Sequence, residues 1–221
     1  MYSKPNGAEE TAAYKRIEGV REVGSHSDLF NEAMMRAMRV ARGGLFAEFG
    51  VFEGKTLRMI KQKMFKFMID RPLYGFDSFE GLPEDYSPYY VRGMFAVDSS
   101  KVARLMGMFR HSGVELVPGY FSDSLEPFLV NHPGHCAFIH MDADLYSSTK
   151  YVLDALMVHH RLVPGTVIQF DEMFLVGQDD GNWYYDEFKA WNEFIEGYDV
   201  EFDWIGSYTQ RVAIVLTKVG K

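Results

Sequence analysis

Leu45-Phe46-Ala47-Glu48-Phe49-Gly50-Val51-Phe52-Glu53-Gly54-Lys55-Thr56 is the stretch that decides the fold. An apolar run of strand length meets a turn with two glycines, and residues 55–68 resume with apolar side chains at helical spacing. Downstream the unit recurs. Runs of strand character at 73–76, 114–117, 137–142 and 167–170 alternate with helical patterns at 99–111, from Ser122-Asp123 to before Pro133, at 148–160 and at 183–196. Two closing runs, 200–205 and 211–216, are joined by a short Gly-containing connection, as an antiparallel pair would be. Repeated strand–helix alternation predicts an α/β fold. Its sheet is Rossmann-like, mostly parallel and seven-stranded, with helices on both faces and an antiparallel strand at the C-terminal end. Residues 44–221 read as a single domain, since no repeat, low-complexity tract or linker interrupts them.

Upstream, residues 27–42 predict a helix with Leu29, Phe30, Met34, Met35 and Met38 on one face and Ser27 or Asp28 as cap. The polar residues before it read as an arm. Residues 1–43 together are expected to form part of the cover over cofactor and substrate. The methionines at helical spacing read as core.

A net charge of −8 disfavours nucleic acid and anionic membrane surfaces as partners. No apolar run approaches the roughly 20 residues of a bilayer span, and the N-terminus lacks the apolar centre of a signal peptide. A cytoplasmic protein is expected. Cys136, the sole cysteine, cannot form an intramolecular disulfide and reads as a buried thiol. A homodimer is the commonest oligomer open to such a chain.

The chemistry is carried by acids placed where predicted strands end: Glu48, Asp77, Asp142 and Asp171. In an open α/β sheet, ligands bind in the crevice outside those ends. Gly50 and Gly54 let the backbone approach a ligand, and the following helix start offers N–H groups to an anion. The middle glycine of a dinucleotide-binding turn is missing. Glu48, two residues before Gly50, repels a pyrophosphate but attracts an ammonium or sulfonium. S-adenosylmethionine, with a carboxylate and a cationic end, is therefore the expected cofactor. Glu48, Phe49, Gly50, Val51, Gly54 and Thr56 are its candidate contacts on the first turn. Asp77, with Ser78 and Phe79, can accept the ribose hydroxyls or cap its own loop. Gly119, Phe121 and Ser122 would line the adenine, and Ser122 can equally cap its helix. Asp142 borders the same cofactor.

His140-Met141-Asp142-Ala143-Asp144-Leu145-Tyr146 is the most specific stretch. If extension continues, His140, Asp142 and Asp144 point to one side. Asp171 and Glu172 approach the same crevice. Clustered carboxylates repel unless a proton or cation joins them, and three or four oxygen ligands suit Mg²⁺ or another hard divalent cation. Solvated acids or helix caps are the plain alternative. A metal would acidify a hydroxyl, and a neighbouring carboxylate would take its proton. His140 is a second candidate acceptor or a hydrogen-bonded core histidine.

Residues 46–56 and 74–84, Leu116-Val-Pro-Gly-Tyr-Phe-Ser-Asp-Ser-Leu125, Ile139-His-Met-Asp-Ala-Asp-Leu-Tyr-Ser-Ser-Thr149 and Pro164-Gly-Thr-Val-Ile-Gln-Phe-Asp-Glu172 resemble, in order, the macrocin O-methyltransferase family. The resemblance runs from about Leu45 to the C-terminus. It implies a class I methyltransferase fold and metal- and S-adenosylmethionine-dependent methylation of a sugar or polyol hydroxyl on a small natural product. By the same resemblance Asp142, Asp171 and Glu172 are metal ligands, Asp144 is the general base, and Glu48, Asp77 and the Gly50 turn hold the cofactor. Glu172 stands where the family usually has a second aspartate and reaches one methylene further.

Other readings stay open. A catechol-type acceptor is the main rival, although Leu145 stands where catechol enzymes commonly place an assisting lysine. A nicotinamide oxidoreductase lacks its glycine, and a non-catalytic binding module would have no use for the acids. Tyr86, Tyr89 and Tyr90 can form a lid on the 78–97 loop or a plain surface loop. Residues 177–182 with Trp183 would be an opposite wall, and Asp179-Asp180 a solvated turn.

Overall fold

Strand β1 (Leu45–Phe49) is buried along its whole length, as a strand covered on both faces must be. Around it lie β2 (Leu73–Asp77), β3 (Val114–Pro118), β4 (Cys136–Met141), β5 (Val167–Phe170), β6 (Glu201–Tyr208) and β7 (Arg211–Lys218). They form one sheet in the order β3-β2-β1-β4-β5-β7-β6. The first five strands pair in parallel, and β7 runs antiparallel to both β5 and β6. The sheet anticipated from the strand–helix alternation is the one observed. The computed structural model describes residues 20–40, 44–85, 90–173 and 187–220. The expected arm before residue 20, Tyr86, Tyr89, the 177–182 segment with Asp179 and Asp180, and Trp183 lie outside them.

Alternation along the strands builds two cores. Ala47, Phe49, Ile139, Met141, Ile168 and Phe170 pack against α4 (Phe121–Asn131), α5 (Tyr146–Val158) and α6 (Glu187–Tyr198). Phe46, Phe138, Val167 and Ala213 face the other way, against α1 (His26–Ala37), α2 (Lys55–Lys66) and α3 (Ser99–Phe109). Cys136 starts β4 as a buried thiol, with burial pushing its pKa up to about 12. No helix of the described residues is long and apolar enough to cross a membrane.

Helix α1 differs from expectation in two respects. Its cap is Ser25, which is extended and accepts the Asp28 N–H at 3.1 Å, so Ser27 and Asp28 fall inside the first turn. Its buried stripe is Leu29, Phe30, Ala33, Met34 and Ala37, which leaves Met35 and Met38 48% and 43% exposed. The stripe advances at 3.6 residues per turn and passes both methionines by. Met68, Met106 and Met108 are likewise exposed rather than core. Helix α1 is a core element and lines no part of the cavity described below. The residues just before it extend the sheet, with Val23 N–H donating to the Ser207 carbonyl at 2.9 Å.

Candidate functional site

The strand order reverses at β1 and β4, which opens a crevice at their carboxyl ends. One residue beyond each strand the ladder continues: Gly50 N–H donates to Phe76 and Asp142 N–H to Phe49, both at 2.9 Å. Gly50 has a φ of +93°, and a Cβ there would lie 1.8 Å from the Asp142 carbonyl oxygen. The turn thus rests directly on Asp142. Asp77 latches it from the other side. Its Oδ2 accepts the N–H groups of Val51 and Phe52, each at 2.7 Å, and its Oδ1 accepts that of Phe79 at 2.6 Å. The Val51 and Phe52 N–H groups of the turn are consumed in this way; those expected to face an anion belong to the helix that starts at Lys55.

A cavity of about 700 Å³ opens over these strand ends, within the usual range for small-molecule sites. Of the residues singled out from sequence, Gly50, Asp77, Ser78, Phe121, Ser122, Asp142, Asp144 and Glu172 line it. The 78–97 loop supplies a further wall and is folded on itself: Leu82 N–H bonds Met94 and Gly93 N–H bonds Leu82, both at 2.9 Å. Ser147, at the start of α5, donates to Glu84 of that loop. Phe95 of the loop and Phe52 of the glycine turn meet edge to face, with ring centroids 5.9 Å apart, both lining the cavity. Five carboxylates (Asp77, Glu84, Asp142, Asp144, Glu172) and one guanidinium (Arg92) make the described wall strongly acidic.

Asp144 is set by a strained turn. Strand β4 ends at Met141, so the alternation expected to carry through Asp144 stops short. Leu145 N–H instead closes back onto the Ala143 carbonyl at 2.6 Å, with Asp144 at a φ of +57°. A three-residue turn with a positive central φ is rare, and strain of this kind clusters at functional sites. Burial pushes the Asp142 carboxyl well above its ordinary value. The charges of Asp171, Asp144 and Glu48 add to the rise, and His140 opposes it.

Several expected site residues are elsewhere, for identifiable reasons. Glu48 and His140 are register partners on neighbouring strands and alternate toward α1, where both are fully buried. His140 Nδ1 lies 3.1 Å from Glu48 Oε1, and its Nε2 makes an ion pair with Asp171 Oδ1 at 3.6 Å. Burial alone would lower the His140 pKa, but the carboxylates of Asp171 and Glu48 outweigh it and push it up to about 10. The structure therefore places the His140–Glu48 pair in the core beneath the cavity rather than in its wall, where burial raises the Glu48 carboxyl and its hydrogen bond to His140 opposes the rise. Phe49 turns to the opposite face and stacks on Phe76 at 4.8 Å. Val51 and Phe79 are buried beside the latch, and Gly54 packs on Leu105 as the α2 cap. Neither Thr56 nor Gly119 borders the cavity.

Asp171 also stands behind the cavity wall, held by Arg211 through Nε at 2.7 Å and Nη2 at 2.9 Å. Arg211 escaped the sequence reading because only the antiparallel register, Phe170 opposite Val212, brings it across from Asp171. His26 completes the group at 3.8 Å from Asp171. Burial, followed by the Arg211 charge, lowers its pKa to about 4. Among the described residues, His26, His140 and Asp171 are the trio whose ligand atoms lie within 4.8 Å of one another. With Arg211 seated on Asp171, Glu48, His140, Asp171 and Arg211 follow one another in a continuous network of polar contacts. Burial opposes ionisation of Asp171, but His140 and Arg211 together hold its pKa down to about 2. That depression contributes stability above the ordinary value of 3.8, lost as pH falls through about 2. Arg211→Met should cost about 2 kcal/mol in urea unfolding at neutral pH. The difference from wild type should shrink as pH falls through that window, and a pH-independent difference would exclude this account.

The model of the macrocin O-methyltransferase (TylF) family matches residues 23–211. No curated protein matches the chain. Among solved structures, the calicheamicin methyltransferase CalS11 superposes with a TM-score of 0.70 at 22% identity, covering 86% of this chain and 78% of its own. The O-methyltransferase NovP gives 0.68 at 20%, covering 87% and 79%. A Bacillus cereus O-methyltransferase in complex with S-adenosylhomocysteine gives 0.52 at 16%, covering 94% and 86%. At these identities the likeness establishes a shared Rossmann-like methyltransferase fold.

Proposed function

Since this chain belongs to the macrocin O-methyltransferase family and is an S-adenosylmethionine-dependent O-methyltransferase, we propose that its acceptor is a sugar hydroxyl on a small natural product and that a divalent cation assists the transfer. The observation that carries the mechanism is the strained turn that sets Asp144 in the cavity wall with Asp142 and Glu172. Support for the acceptor comes from CalS11, a TDP-rhamnose 3'-O-methyltransferase of calicheamicin biosynthesis. The exposed faces of Phe52 and Phe95 offer an apolar ledge on which sugar C–H surfaces can rest.

S-adenosylmethionine, bound across the crevice, supplies an electrophilic methyl group. Asp77 retains roughly one of about four lone-pair sites after its three N–H bonds and can accept from a ribose hydroxyl. Phe121 and Ser122 line the cavity and would border the adenine. Asp144 accepts the acceptor hydroxyl's proton as the oxygen lone pair forms the C–O bond and the C–S bond breaks. The sulfur leaves neutral, so one positive charge disappears and one carboxyl is protonated. What the protein adds is alignment of oxygen, carbon and sulfur.

The charge around Asp142 favours a hard divalent cation: half-buried at the cavity, it stands beside the charges of Asp171, Asp144 and Glu48, a surplus that a cation there would relieve. Asp142 and Glu172 would hold it from the cavity side, and Asp171 would join by sharing oxygens that already hold Arg211. Such an ion would acidify the acceptor hydroxyl.

The assay is methyl transfer from labelled S-adenosylmethionine to sugar-bearing metabolites and to catechols, with and without chelator. Transfer to a sugar hydroxyl is expected, with a loss of at least about tenfold on chelation that Mg²⁺ restores. Label on the catechols alone would overturn the acceptor, and indifference to chelator would overturn the metal.

A further inference from the structure

Glu187, the first residue of α6, is fully buried. Glutamate is rarely buried so completely unless hydrogen bonds or a counter-charge repay its dehydration. Here the bonds come from two different chain segments. Oε1 accepts the N–H of Ala143 at 3.3 Å, and Oε2 accepts the N–H of Glu172 at 3.1 Å. Ala143 separates Asp142 from Asp144, and Glu172 follows Asp171. The β4–β5 ladder ends one step earlier, at the bond from Asp171 N–H to the Met141 carbonyl at 2.8 Å. Beyond that bond the next N–H, on Ala143, goes to Glu187 instead of to β5.

We infer that Glu187 is a positioning residue, a side-chain bridge that replaces the missing ladder bond and fixes the spacing between the Asp142–Asp144 turn and Glu172. The side chain suits the task because its two oxygens accept the two N–H groups that converge on it, bonds that oppose the rise burial imposes on its pKa. An amide of the same shape would turn an NH₂ toward one of them. The anchor is firm, since Phe188 and Trp191 of the same helix are fully buried in the core. Spacing matters because a displacement near 1 Å at reacting groups can cost about a hundredfold in rate.

The inference rests on the roles given above to Asp142, Asp144 and Glu172, and the experiment separates the two. Glu187→Gln keeps the shape of the side chain and removes a buried acid, leaving one of the two N–H groups without an acceptor, at the desolvation cost of an unpaired buried donor. Full-length enzyme is measured for kcat, for both KM values, for S-adenosylhomocysteine affinity by calorimetry, for melting temperature, and for amide hydrogen exchange at 142–145 and 171–173. The expected result is a kcat lower by about tenfold or more, cofactor affinity within a few-fold of wild type, a melting temperature lower by a few degrees and faster exchange at those two segments. A kcat within twofold of wild type, with exchange unaltered, would overturn the bridge. Faster exchange at both segments with full activity would uphold the bridge and remove the catalytic assignment instead. A loss confined to melting temperature would reduce Glu187 to an ordinary structural residue and overturn the inference.

Discussion

Asp144→Asn should lower kcat by about 10²–10⁴-fold, the usual contribution of a positioned general base, while S-adenosylmethionine affinity stays within a few-fold. The substitution is isosteric and leaves the turn that closes from Leu145 onto Ala143 free to form, because that bond joins backbone atoms. Asparagine also tolerates a positive φ, so the strained backbone at +57° persists. What disappears is the capacity to take a proton from the acceptor as the new bond forms. Since that interaction belongs to the transition state, kcat and kcat/KM should fall together. Retention of more than a third of the wild-type rate would show that the proton goes elsewhere. The companion measurement is calorimetric titration with S-adenosylhomocysteine, which should be nearly unchanged. A large loss of affinity there would mean that Asp144 belongs to the cofactor site.

Gly50→Ala should have the largest combined effect on binding and stability. A side chain there would meet the Asp142 carbonyl oxygen at 1.8 Å and its carbon at 2.8 Å, both backbone atoms that no rotamer change can move aside. The φ of +93° is itself unfavourable for any residue with a Cβ. Overpacking and backbone strain together should cost about 3 kcal/mol or more. Relief requires the β1 turn to separate from the end of β4, which carries Asp142 away from the cofactor crevice. S-adenosylhomocysteine affinity should drop by at least about a hundredfold, the equivalent of that energy in binding. Denaturant unfolding and calorimetry test both parts. Near-normal affinity in a folded variant would mean that the turn does not need its contact with β4.

The two variants probe different layers of one design. Gly50 is needed because two strand ends meet where the sheet order reverses, and the role proposed for Asp144 rests on the tight turn that places it in the cavity wall. The polar network from Glu48 to Arg211 lies beneath that surface. It pairs, inside the core, carboxyl groups that the sequence places one residue from the chemistry. A buried pair of this kind adds little net stability but is costly to break. That cost is why changes to His140 or Arg211 should register in stability.

Local patterns determined the elements, because helical and strand periodicities are read within a few residues of each position. The alternation of strand and helix likewise determined the α/β sheet, since crossovers between parallel strands are right-handed with rare exceptions. The acids at the strand ends could be found for the same reason: Asp77 and Asp142 line the crevice, whereas Asp144 does so through a turn that the alternation does not foresee. The tertiary structure alone decided which acids face ligand and which face one another. Glu48 and Asp171 look equivalent to Asp142 in sequence, yet strand register seats the one against His140 and an antiparallel neighbour seats the other against Arg211. Glu187, with no motif around it, became a bridge only because α6 packs its first turn against two strand ends. Pairing across distant segments is fixed by packing of the whole sheet, and no local pattern encodes it.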